Sequence, residues 1–211
     1  MEPTDGQVSW GRSAWEFLHG VTLDPLAPAS AKQAQKKLAY LLRYLLPCPY
    51  CRESYRRFSR DLDQVPAENM GDFFVEMHDC VNLKLEKQSA LLPASAWAVI
   101  KLEEFREIGF PSYVEDMFFF LFTLAANYPL AFTPETQIEK HYRDFFQTLP
   151  MAMIHRPWGK IMHEYLKENP ITTALAGRRE LTKWLYGMYR RVVPDAKEFE
   201  TIVRTMNKMR K

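Results

Sequence analysis

Apolar residues recur along this chain every three to four positions, which is the period of an amphipathic helix, and almost nowhere at the alternating period of a strand. Trp10 to Val21 reads as a first helix. Lys32 to Leu46 reads as a second, with Leu38, Leu41, Leu42, Leu45 and Leu46 on one broad face. Pro47 ends it, and a third runs from the Cys48–Cys51 motif to about Leu62; Pro49 suits the first turn, where no N–H is needed. Gly71 to Lys87 gives a fourth helix and Ala94 to Ile108 a short fifth. The pattern then restarts: Glu115–Asn127, Pro134–Leu149, Trp158–Glu168, Arg178–Val192 and Ala196–Lys211 all carry helical spacing. The expected fold class is therefore all-α: an N-terminal four-helix bundle with a short fifth helix (1–108), then a second helical module (109–211), with the boundary at Gly109–Ser112.

Bulk composition changes this picture little. The chain has 211 residues, 47% of them hydrophobic and 26% charged, ordinary values for a globular protein. A formal net charge of +2 gives no argument for nucleic acid. No apolar run reaches the roughly 18 residues of a membrane span; Met117–Phe132 is the most apolar stretch and is interrupted by Asn127 and Pro129. The N-terminal residues are polar and acidic, without the apolar core of a signal peptide, so the chain is expected to start in the cytosol. Phe118–Phe122 reads as core or interface and the basic end, Lys208–Lys211, as a frayed helix terminus.

The chemistry lies in the first half. Three cysteines are too few for a disulfide scaffold. Two of them form Cys48-Pro49-Tyr50-Cys51 at a helix start, where the dipole favours a thiolate and the spacing lets a disulfide open and close with little backbone movement. Glutaredoxin-like proteins also carry this motif, but in a βαβ context that is missing here. Trp15 and His19 share a helix face at i,i+4, as do His78 and Asn82, with Leu85 continuing the latter face. Such surfaces suit a flat heteroaromatic ligand held among helices. The alternative for Cys48, Cys51, Cys80 and His78 is a zinc site. Cys80 alone reads as a small buried residue. Arg52, Arg56, Arg57 and Arg60 follow the cysteine pair; they either support a thiolate, attract acidic substrates or form a solvated basic face.

Trp10-Gly11-Arg12, Trp15 and Leu18-His19, then Pro47-Cys48 and Cys51, then His78, Val81-Asn82, Leu85 and Lys87 stand in the order and spacing of three motifs. In this the chain resembles the Erv/ALR sulfhydryl oxidases over roughly residues 8 to 103. The resemblance implies a non-Rossmann FAD site lined by Arg12, Trp15, His19, His78, Val81, Asn82, Leu85 and Lys87, with Trp97 a weaker candidate. It also implies a catalytic Cys48–Cys51 disulfide in which Cys48 meets the incoming protein thiol and Cys51 stands nearer the flavin, with O2 as acceptor and H2O2 as product. Two departures stand out: Asp79 replaces the family's asparagine, and Asp24-Pro25 its Tyr-Pro. There is no second Cys-x-x-Cys, so substrate must reach Cys48 directly or through another relay thiol protein. Minimal oxidases of this kind resemble those of large DNA viruses, which implies a host cytoplasm or virion; a mitochondrial intermembrane-space enzyme is the alternative setting. A scaffold derived from this family is the non-enzymatic alternative.

Shifting the first half by 103 residues puts Trp15 on Phe118, His19 on Phe122, Cys48 on Met151 and Cys51 on Ile154. After an eight-residue insertion Met77-His78 falls on Met188-Tyr189. Residues 112 to 211 thus resemble a second Erv-like module that has lost its cysteines and cofactor residues. Single-module relatives pair as homodimers; here the second module is expected to fill the partner's place as an intramolecular pseudo-dimer, with a further homodimer left open.

Overall fold

The computed structural model describes residues 10–24, 26–87, 111–129, 137–153 and 155–208. The protein is all-α, and no strand occurs among these residues. In chain order the helices are α1 (Trp10–Thr22), α2 (Ala29–Leu45), α3 (Pro49–Phe58), α4 (Met70–Lys84), α5 (Pro111–Ala126), α6 (Ile138–Ala152), α7 (Arg156–Glu168), α8 (Arg178–Val192) and α9 (Phe199–Lys208). Short 3-10 turns at Leu62–Gln64, Ala67–Asn69 and Ile171–Ala176 link α3 to α4 and α7 to α8. The fifth helix expected at Ala94–Ile108, and with it Trp97, lies outside the described residues.

Helix boundaries differ from the sequence expectation where side chains intervene. Helix α3 stops at Phe58 because Arg43, from α2, reaches across to Ser59, with Nε 3.0 Å from its hydroxyl and the guanidinium also on its carbonyl. Helix α4 stops at Lys84 rather than continuing to Lys87. Glu86 takes a left-handed conformation (φ 55°), so that the N–H of Lys87 donates to the Asn82 carbonyl at 2.9 Å and that of Glu86 to Leu83 at 3.1 Å. This pair of bonds is a Schellman closure, built here without the usual glycine. Helix α6 runs past the expected end and contains Pro150, near enough to its C-terminus for only the last turn to feel the missing donor.

The leucine face predicted for α2 is buried in full: Leu38, Leu41, Leu42, Leu45 and Leu46 are each at most 6% exposed. One continuous apolar cluster runs from Ala14 to Met206, so the core does not stop at the boundary between the halves. Phe118 and Phe120 to Phe122 lie inside it.

The helix pairings follow a regular scheme. Within the first half α1 packs on α4, α2 on α3 and α3 on α4; within the second, α5 packs on α8, α6 on α7 and α7 on α8. Between the halves, the two most extensive contacts join α2 to α6 and α1 to α5, each helix meeting its counterpart in order. At the α1–α5 crossing, Ser13 donates its hydroxyl to the Asp116 carboxylate at 2.5 Å, and the two residues are 103 apart in sequence. Phe17 and Phe120, with the same separation, place their rings 5.7 Å apart. Trp10 stacks on Phe120 at 6.2 Å, while Tyr113, the residue matching Trp10, donates its hydroxyl to the Phe17 carbonyl at 3.5 Å. Contacts of residue i with j, repeated as the counterpart of i with the counterpart of j, are the mark of a two-fold relation.

Candidate functional site

Helix α3 begins with the cysteine pair. Cys48 is its N-cap, with extended backbone (φ −91°, ψ 123°), and Pro49 occupies the first turn. The Cys51 N–H donates to the Cys48 sulfur at 3.2 Å, as a serine hydroxyl would be used in a cap. Both thiols are free and partly buried. Cys51 packs against the apolar core, whereas Tyr50 between them is 82% exposed.

The helix terminus was expected to ease ionisation of the pair. At Cys51 the reverse holds. Burial, then the Cys48 thiol hydrogen-bonded to it and its charge, push the Cys51 thiol up to about 12, against the opposing charges of Lys84 and Arg52. Although Cys51 lies in the first turn of α3, its thiol packs on the apolar core, and that burial is the largest cause of the shift.

Helix α4 packs on both α1 and α3 and so links the cysteines to the ring residues. Trp15 of α1 stacks on His78 of α4, centroids 4.2 Å apart and planes within 8°. His19, 3% exposed, shares a hydrogen bond with His78, Nε2 to Nδ1 at 3.0 Å. Burial lowers the pKa of His78; the Asp79 carboxylate opposes this and Lys87 adds to it. A neutral ring is what the bond requires, since one nitrogen must accept. Lys84, one helix turn beyond Cys80, donates to the Ser54 hydroxyl on α3 and places its charge beside Cys51.

The structure thus brings Trp15, His19 and His78 together, and sets Lys84 of the same α4 beside Cys51 of α3. Val81 and Asn82 are partly buried on α4 and Arg12 is exposed at the start of α1. Leu85 ends α4 with its N–H still donating to the Val81 carbonyl at 3.0 Å and is 54% exposed, and Lys87 follows the left-handed Glu86 and is exposed. Cys80 is partly rather than fully buried. Among the described residues, no group of three or more His, Cys, Asp or Glu stands close enough to hold a metal ion, and no helix is long and apolar enough to cross a membrane.

The second half holds a parallel arrangement. Phe118, Phe122 and Tyr189 cluster with centroids 4.9 Å (Phe118–Tyr189) and 5.7 Å (Phe122–Tyr189) apart, on α5 and α8. A cavity of about 160 Å³ beside them is lined in part by Ile202 and Met206 of α9. The buried positions of α4, Met70, Phe73, Phe74 and Met77, recur in α8 as Leu181, Trp184, Leu185 and Met188, in keeping with the eight-residue insertion. The expected match of Cys48 and Cys51 to Met151 and Ile154 needs correcting. Met151 is 52% exposed on α6, and the residue that caps α7 is His155, whose Nδ1 accepts the Trp158 N–H at 3.4 Å. His155 and Trp158 therefore stand where Cys48 and Cys51 stand, and half of the insertion precedes this helix. Cap geometry reveals this; sequence spacing did not.

A larger cavity, of about 590 Å³, opens at the seam between the halves, away from the Trp15–His78 stack, and is lined in part by Tyr44, Arg52, Arg56 and His141.

These features define a class: an all-helical protein with a dithiol capping one helix and an indole–imidazole cluster on the helices around it. Residues 12–101 match the Erv1 / Alr family, so this stretch of the chain is similar to that family. The family is in general one of thiol oxidases whose members typically bind flavin. No curated protein and no solved structure matches the chain.

Proposed function

We propose that the protein is an FAD-linked thiol oxidase that forms disulfides in protein substrates through Cys48 and Cys51, with O2 as the final acceptor and H2O2 as product. The observation that carries this reading is the Cys48–Cys51 cap on α3, a helix packed on the same α4 whose His78 joins Trp15 and His19 of α1 in one ring cluster. The residues suit the cofactor. Trp15 and His78 offer flat faces, the two imidazoles offer ring nitrogens, and Arg12, Lys84 and Lys87 are exposed cations suited to a diphosphate. At a 4.2 Å separation Trp15 and His78 leave no space for a third ring between them, so a flat ligand has to use the outer side of the stack.

In the oxidised pair, a substrate thiolate attacks the Cys48 sulfur, the S–S bond breaks and Cys51 leaves with the electron pair. Cys48 stands at the helix end, while Cys51 packs on the core. Lys84 and Arg52 offset part of the cost of negative charge on the buried Cys51. A second substrate thiol then attacks the mixed disulfide, releases Cys48 and completes the substrate disulfide. The Cys48 thiolate so released accepts the Cys51 N–H. Two electrons and two protons now rest on the Cys48–Cys51 dithiol; bound FAD supplies the two-electron chemistry that passes them to O2.

We further propose that the second half is a degenerate copy of the first, binding no FAD and occupying the place of a partner subunit. Its support is the reciprocal contacts at α1–α5 and the replacement of Trp15, His19 and His78 by Phe118, Phe122 and Tyr189.

An absorption spectrum tests the oxidase reading: a band near ~450 nm that bleaches with dithiothreitol under limited oxygen and recovers in air is expected. A colourless protein, with no band even after refolding with FAD, would sink it and favour a scaffold. Cys51→Ser is expected to abolish turnover with FAD still bound. More than about one FAD per chain overturns the reading of the second half.

A further inference from the structure

The arginine cluster that follows the cysteines is divided by the fold. Arg60 pairs with Asp61 at 3.2 Å and Arg57 lies over its neighbour Phe58, both exposed. Arg52 and Arg56 instead line the 590 Å³ cavity at the seam, together with Tyr40 and Tyr44 of α2 and His141 and Tyr142 of α6. Among the described residues no carboxylate lines it. Arg52 donates to the Leu46 carbonyl at 2.5 Å and Arg56 through Nε to the Arg43 carbonyl at 3.0 Å, so each guanidinium is held in place with donors to spare. Arg56 lies over the Tyr44 ring at 5.6 Å, and Tyr44 stacks on His141 at 4.1 Å, so that cation and rings form one column across the seam. Glu53 reaches Arg56 only at 3.9 Å, on the solvent side, with both side chains well exposed. Burial holds His141 below the ordinary imidazole range, so it adds a neutral face rather than a charge.

Helix α3 ties this cavity to the cysteine pair. Arg52 and Arg56 follow the N-cap Cys48 at successive i,i+4 steps, one and two turns along α3. Along the axis they stand about 6 Å and about 12 Å from Cys48.

We propose that this seam cavity is the docking groove for the substrate polypeptide, and that it selects acidic and aromatic residues beside the reacting cysteine. The proposal rests on the oxidase reading and deepens it. At about 3.3 Å per residue, an extended substrate with its cysteine on Cys48 places its second to fourth neighbours, in one direction, against Arg52 and Arg56. The second half then has a task without chemistry of its own: His141, Tyr142 and Asn127 form the far wall of the groove.

The test uses the FAD-loaded full chain and oxygen consumption with three reduced dicysteine peptides, flanked two to four positions away by Glu, Gln or Lys, and with dithiothreitol as a small dithiol. The Glu peptide is expected to have the highest kcat/KM, through KM, and to lose the advantage as salt rises. Arg56→Glu is expected to raise its KM about tenfold, to lower its kcat/KM relative to that for dithiothreitol, and to turn the preference toward the Lys peptide. His141→Ala, on the opposite wall, is expected to weaken all three peptides relative to dithiothreitol. Equal kcat/KM for the three peptides, or an unchanged peptide KM in Arg56→Glu, overturns the groove. Failure to oxidise dithiothreitol instead overturns the oxidase reading; binding of a fluorescent serine-for-cysteine Glu peptide to wild type and to Arg56→Glu then decides the groove alone, equal affinity overturning it.

Discussion

Burial and a neighbouring sulfur govern Cys51. Its thiol, raised to about 12 by burial first and by Cys48 second, keeps its proton across the neutral range in the reduced protein. Iodoacetamide at about pH 8 is therefore expected to alkylate Cys48 before Cys51, since only the thiolate reacts. Mass mapping of the alkylated peptides checks this, and faster labelling of Cys51 would contradict the assigned roles. Replacing Lys84 by Met removes a charge that opposes the shift and is expected to slow reoxidation of the dithiol most at neutral pH. His78 titrates in the other direction. Its folded pKa lies below 6.5, so as pH falls through that value the unfolded ring takes up its proton first and the folded state loses stability. Urea midpoints at about pH 7.5 and about pH 5.5 are expected to differ, and His78→Asn to narrow the gap. The identities of these residues were legible in the motifs. Their protonation was not, because it depends on which side of each helix faces the core and on neighbours far away in sequence, such as Lys84 beside Cys51.

At the scale of elements, periodicity located the helices, and Arg178–Val192 has the span expected of it. Ends were read less well, since they are set by single long-range or backbone events: Arg43 on Ser59 ends α3, and the left-handed Glu86 ends α4. Glu86→Gly removes a side chain from that conformation without changing the closure, and is expected to raise stability by up to about 1 kcal/mol in a urea titration. Gly20 shows the opposite constraint. A Cβ there would run into the Tyr113 ring across the α1–α5 crossing. Gly20→Ala is expected to cost about 1–3 kcal/mol, seen as a lowered urea midpoint, because ring and helix have to shift together. Nothing in the local sequence marks Gly20 for this; the constraint comes from a residue in the other half of the chain.

For the whole molecule, the continuous core decides how the halves behave. Since α1 and α2 bury their apolar faces on α5 and α6, a fragment ending near residue 108 exposes them. Such a fragment is expected to self-associate, while the full chain keeps that surface covered; light scattering against the 24.8 kDa chain mass distinguishes the two. A fragment that stays monomeric and folded would refute the partner-replacement reading. On the proposed repeat, the 103-residue register matches the contacts at α1–α5, whereas the cap of α7 at His155 stands 107 residues from Cys48, a shift the sequence spacing does not show. The Ser13–Asp116 bond carries a consequence of its own. In a symmetric pair of identical subunits, a residue on the axis meets itself, so this place would hold two serines or two aspartates. Two carboxylates at that distance would repel unless they shared a proton. A hydroxyl facing a carboxylate there is open only to a chain whose two halves are written separately, and it makes each half a better mate for the other than for its own likeness.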